Sequence, residues 1–416
     1  MNETKPFTIP KSLVVRAFKL IKANAGAAGV DRQSIADFEL CLKDNLYKLW
    51  NRLSSGSYFP PPVKAVPIPK KSGGERILGV PTVSDRIAQM VVKLIFEPLV
   101  EPYFLSDSYG YRPKKSALDA VGVTRQRCWK YDWVLEYDIK GLFDNLDHEL
   151  LMKAVRKHTD NKWVILYIER WLKTPLQMPD GSLQAKTKGV MQGGVISPVL
   201  SNLFLHYVFD VWMARNYPAI PWCRYADDAI AHCKTEQQAQ QLLAELKLRY
   251  EECGLELHPN KTKIIYCKDG SRKRNYTDTQ FDFLGYTFRR RKSKNTKRNS
   301  IFVNFTPAAS KTALKSMRAK IRRSNIRNRT DISLKDIANW YNPILRGWIE
   351  YYGRYYRSSL YSVCRHFNKT LIAWVRRKYK RFQRHKTKAS IFLERIAKKE
   401  PHLFAHWKIG MVGAFA

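Results

Sequence analysis

The sequence predicts an α+β protein in which a mixed strand-and-helix region is followed by an all-helical one. Three observations carry this. Short apolar strands alternate with helices of 3.6-residue period through residue 285. Past Arg289 strand signals give way to helical spacing. The charge changes at the same place: residues 286–416 hold 33 Lys+Arg and 5 Asp+Glu, so +28 of the net +38 sits in the last third.

In chain order, residues 12–22 read as an amphipathic helix ending before the Gly26/Gly29 loop, and a second helix is expected from Ile35 to Leu53. Val63, Val66 and Ile68 alternate in an extended segment that turns at Ser72-Gly73-Gly74 and returns from Arg76. Residues 83–100 are helical, stopped by Pro98 and Pro102. Trp133 to Ile139 is an apolar strand holding Asp138, followed by a turn and a helix from Glu149 to His158. Residues 220–233 form two short strands around the acidic turn Asp227-Asp228, with a helix from Gln237 to Cys253 behind them. Arg289 to Asn299 is a charge run expected as an exposed loop. Helices follow over Ala308 to Arg323, from the capping box Ser333/Asp336, and from Tyr361 to Arg384.

Composition narrows the function. With 416 residues, 44% of them hydrophobic, the chain folds. No run of 18 apolar residues suggests a membrane span, and Met1 to Pro6 lacks the apolar stretch of a secretory signal. Seven scattered Cys without a Cys-x-x-Cys pair argue against a disulfide framework or zinc module and suit a reducing compartment. The C-terminal cations are interleaved with aromatics, as in Trp374 to Phe382, which fits nucleic acid better than a merely solvated face.

Asp138 lies in an apolar strand and Asp227-Asp228 at an apolar hairpin. Burying carboxylates there costs free energy unless a cation compensates. Two strands bringing Asp138 beside Asp227 make an oxygen-rich Mg²⁺ site suited to in-line phosphoryl transfer. Taken singly, an Asp-Asp turn is as readily a solvated hairpin tip and Asp138 a helix N-cap.

The flanking residues resolve this. Cys223-Arg224-Tyr225-Ala226-Asp227-Asp228 resembles the palm signature of bacterial reverse transcriptases, and the other blocks of that family stand around it in order. They are Asn24 to Asp31, Ile68-Pro69-Lys70 through Gly74-x-Arg76 to Pro81, and Ser108-Tyr109-Gly110-Tyr111-Arg112-Pro113. Next come Asp138 to His148, Gln192-Gly193-Gly194 to Asn202, Gly254 to Thr262, and Phe283-Leu284-Gly285-Tyr286. Trp340-Tyr341-Asn342-Pro343 to Tyr352, Arg376-Arg377-Lys378 and Pro401 to Trp407 are similar to the maturase region of group II intron proteins. One departure is that the chain reaches Ala416 without the Cys/His endonuclease module of some relatives, so cleavage of a second DNA strand is not expected.

The resemblance implies a right-hand polymerase: a helical extension over 1–50, fingers and palm with an RNA-recognition-like sheet over 51–288, a helical thumb/maturase domain over 289–385, and a basic C-terminal segment over 386–416. It implies that Asp138 and Asp227, with the Ile139 carbonyl, bind two Mg²⁺ ions and that Asp228 supports the primer end. Lys70 and Arg76 would neutralise the incoming deoxynucleoside triphosphate. Phe143 would exclude a ribose 2′-hydroxyl, although a core role is the commoner fate of a Phe, and Gln192 would approach nucleotide or template. Arg112, Lys261, Arg376, Arg377 and Lys378 would touch nucleic acid. Expected partners are intron RNA, an RNA template and a DNA primer or target, with splicing and intron mobility as the wider role, in the bacterial cytoplasm and away from membranes. A host-adapted reverse transcriptase without an intron and a splicing-only RNA-binding protein are the alternatives.

Overall fold

A computed structural model describes residues 5–69, 74–295 and 299–412. The first helix, Lys11–Asn24, buries Val14, Phe18 and Ile21. The single helix expected over Ile35 to Leu53 is two, Ile35–Leu40 and Leu42–Ser54. They break at Cys41, where the Asn45 side-chain amide donates to the Phe38 carbonyl at 3.0 Å. Strands β1 (Val63–Pro69) and β2 (Glu75–Val80) form the expected hairpin, with Ile68 opposite Arg76. The helix Val83–Val100 starts at Thr82, whose hydroxyl accepts from the Asp85 N–H, and is apolar on nearly every side because it is buried on nearly every side.

β3 (Trp133–Asp138) is a continuous apolar run, as expected of a strand covered on both faces. The short β4 (Leu176–Gln177) pairs parallel to β1 and antiparallel to β5 (Leu183–Gln184), completing a sheet of order β2-β1-β4-β5. β6 (Trp222–Tyr225) and β7 (Asp228–Cys233) are the hairpin around the acidic turn, and with β8 (Lys263–Tyr266) they give a second sheet of order β6-β7-β3-β8. This sheet places the end of β3 beside the start of β7.

Residues 289–295 of the charge run expected as a loop are instead strand. β9 (Gln280–Phe283), β10 (Tyr286–Asn295) and β11 (Ser300–Ala309) form a third sheet of order β11-β10-β9. Buried Phe281, Phe288 and Phe305 anchor its root, with Phe281 and Phe288 stacked at 4.6 Å, and β10 and β11 stay in register from Tyr286/Ala309 to Asn295/Ser300. Arginine and lysine are tolerated on the outer faces of such a ribbon, which is why charge alone misled.

The chain divides into two compact units, Met1–Ala120 with Leu135–Lys263, and Val121–Val134 with Ile264–Ala416. In the first, the Lys11–Asn24 helix packs on Val83–Val100. In the second, Ile337, Tyr341, Phe367, Leu371 and Trp374 share one core with Ala389, Leu393, Phe404 and Trp407. The segment past residue 385 is therefore packed and not merely a basic tail. Its closing turn is clamped by Asn368, whose side-chain oxygen lies 2.7 Å from His406 Nε2 and accepts from Trp407 Nε1 at 3.1 Å. Ser333 and Asp336 form the expected capping box of the helix Leu334–Tyr356. The helix from Tyr361 ends at Lys378, short of Arg384.

Candidate active site

The acidic hairpin is tight. Tyr225 pairs with Asp228, and Ala226 turns the corner with φ 57°, leaving Asp227 and Asp228 at the tip. Behind the tip, Arg224 is fully buried and its guanidinium braces the turn. It donates to both Asp210 carboxylate oxygens at 2.7 and 2.6 Å, to the Asn202 side-chain oxygen and the Ala226 carbonyl at 3.1 Å, and to Ser108 Oγ at 2.9 Å. Burial works against the Asp210 carboxylate, but the Arg224 charge outweighs it and holds the group below its ordinary range. Asn202 also donates to the Gly110 carbonyl at 2.7 Å, and a Cβ at Gly110 would collide with the Ala226 amide. Three of the sequence blocks thus interlock, through the Asn202 side chain and through the close backbone approach of Gly110 to Ala226. Sequence reading missed the roles of Arg224 and Asp210; an Arg inside an apolar strand was the available signal.

Asp138 ends β3. Its carbonyl accepts from the His258 N–H at 2.8 Å while Lys140 N–H donates to the Glu256 carbonyl at 2.8 Å. Ile139 faces Leu257 between those two bonds, so its own carbonyl turns to the other side of the strand. The Asp138 carboxylate accepts from Lys261 Nζ at 2.6 Å. Burial, then the Asp138 charge, raises the Asp227 carboxyl. Asp228 keeps a solvent-accessible face, yet the surrounding protein first, and then Asp227 and Asp138, push it up to about 7. Lys261 opposes both shifts, and its ammonium is itself raised by the hydrogen bond to Asp138. The three carboxylates therefore form one electrostatic cluster that calls for more positive charge than one lysine.

Among the described residues, no three acidic, imidazole or thiol groups converge as a ready-made metal cage. The donors are nevertheless of the kind Mg²⁺ takes, a few carboxylates with water and substrate oxygens supplying the rest.

A cleft of about 380 Å³ is lined by Arg76, Asp144, Lys186, Lys188, Met191 and Gln192, among others. Lys186 and Lys188, which sequence reading missed, join Arg76 there; two lysines just before Gly189 were the signal. Burial lowers the Lys186 ammonium, against the pull of Asp144. Phe143 is half-buried in the short helix Leu142–Asn145, and its carbonyl accepts from Val190 N–H at 2.7 Å. Gly189 (φ 81°) permits this approach, since a Cβ would lie 2.6 Å from the Phe143 carbonyl oxygen. The Gln192 carbonyl accepts from Gly79 N–H at 2.7 Å, and Gly193 follows at φ 105°. Buried Gln89 caps the next turn by accepting from Val195 N–H at 2.7 Å, and donates to Asp85 at 2.9 Å. Tyr111, also missed, is half-exposed at φ 58°. Its hydroxyl is raised by burial and by Asp227 and Tyr225 while Arg76 opposes, so it borders the carboxylates.

Some expected contacts are otherwise engaged. The Arg112 side chain is 7% exposed, paired with Glu101 at 2.8 Å and donating to the Leu105 and Ser108 carbonyls at 2.6 and 2.8 Å, so it shapes the 101–112 loop. Lys378 donates to the Thr330 and Ile332 carbonyls at 3.0 and 2.7 Å, holding that loop. Arg376 is braced on the Gln383 carbonyl at 3.0 Å and Arg377 is exposed. Both line a basic cavity of about 510 Å³ with Lys380. Lys70 lies outside the described residues.

Residues 68–288 match the reverse transcriptase (RNA-dependent DNA polymerase) family, and residues 314–392 match the group II intron maturase-specific domain. The chain is 32% identical to protein YkfC of Escherichia coli over 318 residues, covering 66% of this chain and 79% of that one. It is 26% identical to the group II intron-encoded protein LtrA of Lactococcus lactis over 421 residues, covering 81% of this chain and 68% of that one.

Proposed function

The chain belongs to the reverse transcriptase family and carries the maturase-specific domain of group II introns, and from this premise we propose how its residues divide the work. It is an RNA-directed DNA polymerase of group II intron type. The observation that carries the site assignment is the coupled cluster of Asp138, Asp227 and Asp228 with Lys261 as its near cation.

Asp138 and Asp227, with the Ile139 carbonyl, would hold two Mg²⁺ ions, which when bound supply activation of a primer 3′-hydroxyl and stabilisation of the leaving pyrophosphate. Asp228 keeps the primer end oriented. Arg76, Lys186 and Lys188 draw the triphosphate of a deoxynucleotide into their cleft, which Gln192 also lines, and Lys70, six residues before Arg76 in sequence, is assigned the same task. Phe143, held by Val190, limits room at the sugar. The intron RNA, as maturase partner, meets the basic second unit, where Arg376 and Arg377 border a cavity sized for a nucleotide. Residues 51–288 act as fingers and palm and 289–385 as thumb, with 1–50 and 386–416 packed on them as supports. No helix among the described residues is long and apolar enough to cross a membrane. The seven cysteines are free thiols, which suits a reducing compartment.

Primer extension on an RNA template with Mg²⁺ and deoxynucleotides tests the reading, wild type beside Asp227→Asn. The wild type alone is expected to synthesise DNA, with RNA affinity of the two nearly equal. Substantial synthesis by a folded Asp227→Asn protein would remove Asp227 from the metal site. Failure of both, with tight RNA binding retained, would favour a splicing-only protein.

A further inference from the structure

We propose that the distal half of the β10–β11 ribbon is an arm that docks on duplex RNA, using residues other than the carboxylates of the cluster and those lining the Arg376/Arg377 cavity. The identity of the polyanion, though not the docking itself, rests on the polymerase reading above.

The root of the ribbon is fixed. Besides the buried Phe281, Phe288 and Phe305, Trp129 Nε1 donates to the Phe305 carbonyl at 2.9 Å, and Arg291 donates to the Thr306 and Thr287 carbonyls at 3.3 and 3.2 Å. Arg291 is thereby committed to structure. Beyond the root, strand periodicity puts Arg290, Lys292 and Lys294 on one face, about 7 Å apart in succession. All three are exposed, and Lys294 pairs across with Ile301. Residues 286–309 contain no Asp or Glu to neutralise them. At the far end Ile301, on the cation face opposite Lys294, is 71% exposed, and Phe302, opposite Ser293 on the reverse face, is 44% exposed.

Lysines on an exposed edge can serve merely to block edge-to-edge aggregation. That purpose conflicts with an adjoining Ile and Phe left open to water, which invites association. A row of cations about 7 Å apart that ends beside an exposed Ile301 instead matches the phosphates flanking a wide, shallow groove, as an A-form duplex presents them, with the ribbon read by shape. Single-stranded RNA is the poorer fit, because stacking platforms use several rings and Phe302 is the one exposed ring among the described residues of the ribbon.

The experiment uses the full chain, wild type beside the triple variant Arg290→Gln/Lys292→Gln/Lys294→Gln and the tip variant Ile301→Ser/Phe302→Ser. Affinity is read between about 50 and 200 mM salt for three probes: an RNA duplex of about 16 base pairs, single-stranded RNA of equal length and the matching DNA duplex. With about 0.9 counterion released per phosphate contact, the triple variant should flatten the salt slope on duplex RNA by about two to three units. The tip variant should lose several-fold affinity at an unchanged slope. An unaltered slope and affinity on duplex RNA would overturn the proposal, as would equal losses on all three probes, which would mean a diffuse field. Primer extension by the same variants separates the two readings. DNA synthesis retained beside an unaltered duplex affinity sinks the arm alone, whereas a wild type that synthesises nothing sinks the polymerase reading.

Discussion

Lys261 and Asp138, 123 residues apart in sequence, meet through a 2.6 Å ion pair at the end of the central strand β3. The lysine side chain is 56% exposed and the aspartate 14%, so the cation comes from solvent to a largely sheltered carboxylate. It is the near cation of three neighbouring carboxylates, and on the proposed reading divalent ions would compete for the same charge.

Replacing Lys261 by Met should therefore destabilise the metal-free protein and enlarge its response to Mg²⁺. A contribution of up to about 1 kcal/mol from so exposed a pair corresponds to roughly 2–4 °C. Calorimetry with Mg²⁺ or chelator reads this. An equal Mg²⁺-induced rise in Tm for wild type and variant would show that Lys261 does not compensate the cluster.

Arg224→Met should cost far more, because it leaves Asp210 charged and fully buried behind the acidic turn. Breaking such a pair costs about 3–5 kcal/mol. Urea unfolding measures it, and Asp210→Asn combined with Arg224→Met should recover part of the loss. A single variant within about 1 kcal/mol of wild type would mean that water reaches the pair.

Phe143→Ala should relax discrimination against ribonucleotides while Mg²⁺ dependence stays the same, since the proposal gives the ring a role at the sugar and none in holding metal. Competition between the two nucleotide types in primer extension is the readout. Unchanged selectivity accompanied by lowered stability would return the ring to packing between its short helix and Val190.

His406 makes a pH prediction. Burial pushes its imidazole down to about 3 from 6.5. Between those values the unfolded chain takes up a proton that the folded one refuses, so stability is full above the unfolded value and falls as pH drops below it. The slope is at most about 1.4 kcal/mol per pH unit. His406→Gln keeps a donor for Asn368 and removes the titration. Its denaturation midpoint should fall less than that of wild type from about pH 7 to 5, and parallel declines would show His406 to be hydrated.

Much of the local geometry of the candidate site was readable because it depends on local rules. An apolar run ending in Asp138, two strands around Asp227-Asp228 and glycines beside Gln192 each follow from strand period and turn chemistry over a few residues. The helical thumb was readable from its capping box and 3.6-residue spacing. The ribbon from Tyr286 to Ala309 was not, because strand pairing is a long-range event and its charged outer face carries no apolar alternation.

The carboxylates, their order in the chain and the basic second half belong to the amino-acid sequence alone, since composition and short spacing specify them. Which cations remain available was a matter for packing. Arg112 and Lys378 satisfy backbone carbonyls, Arg224 is locked to Asp210, and Lys261 is turned to Asp138, whereas Arg76, Lys186 and Lys188 line an open cleft. A guanidinium or ammonium looks the same in any sequence. Its partner is chosen by whichever acceptor the fold brings within about 3 Å and desolvates, and that is a property of distant segments meeting.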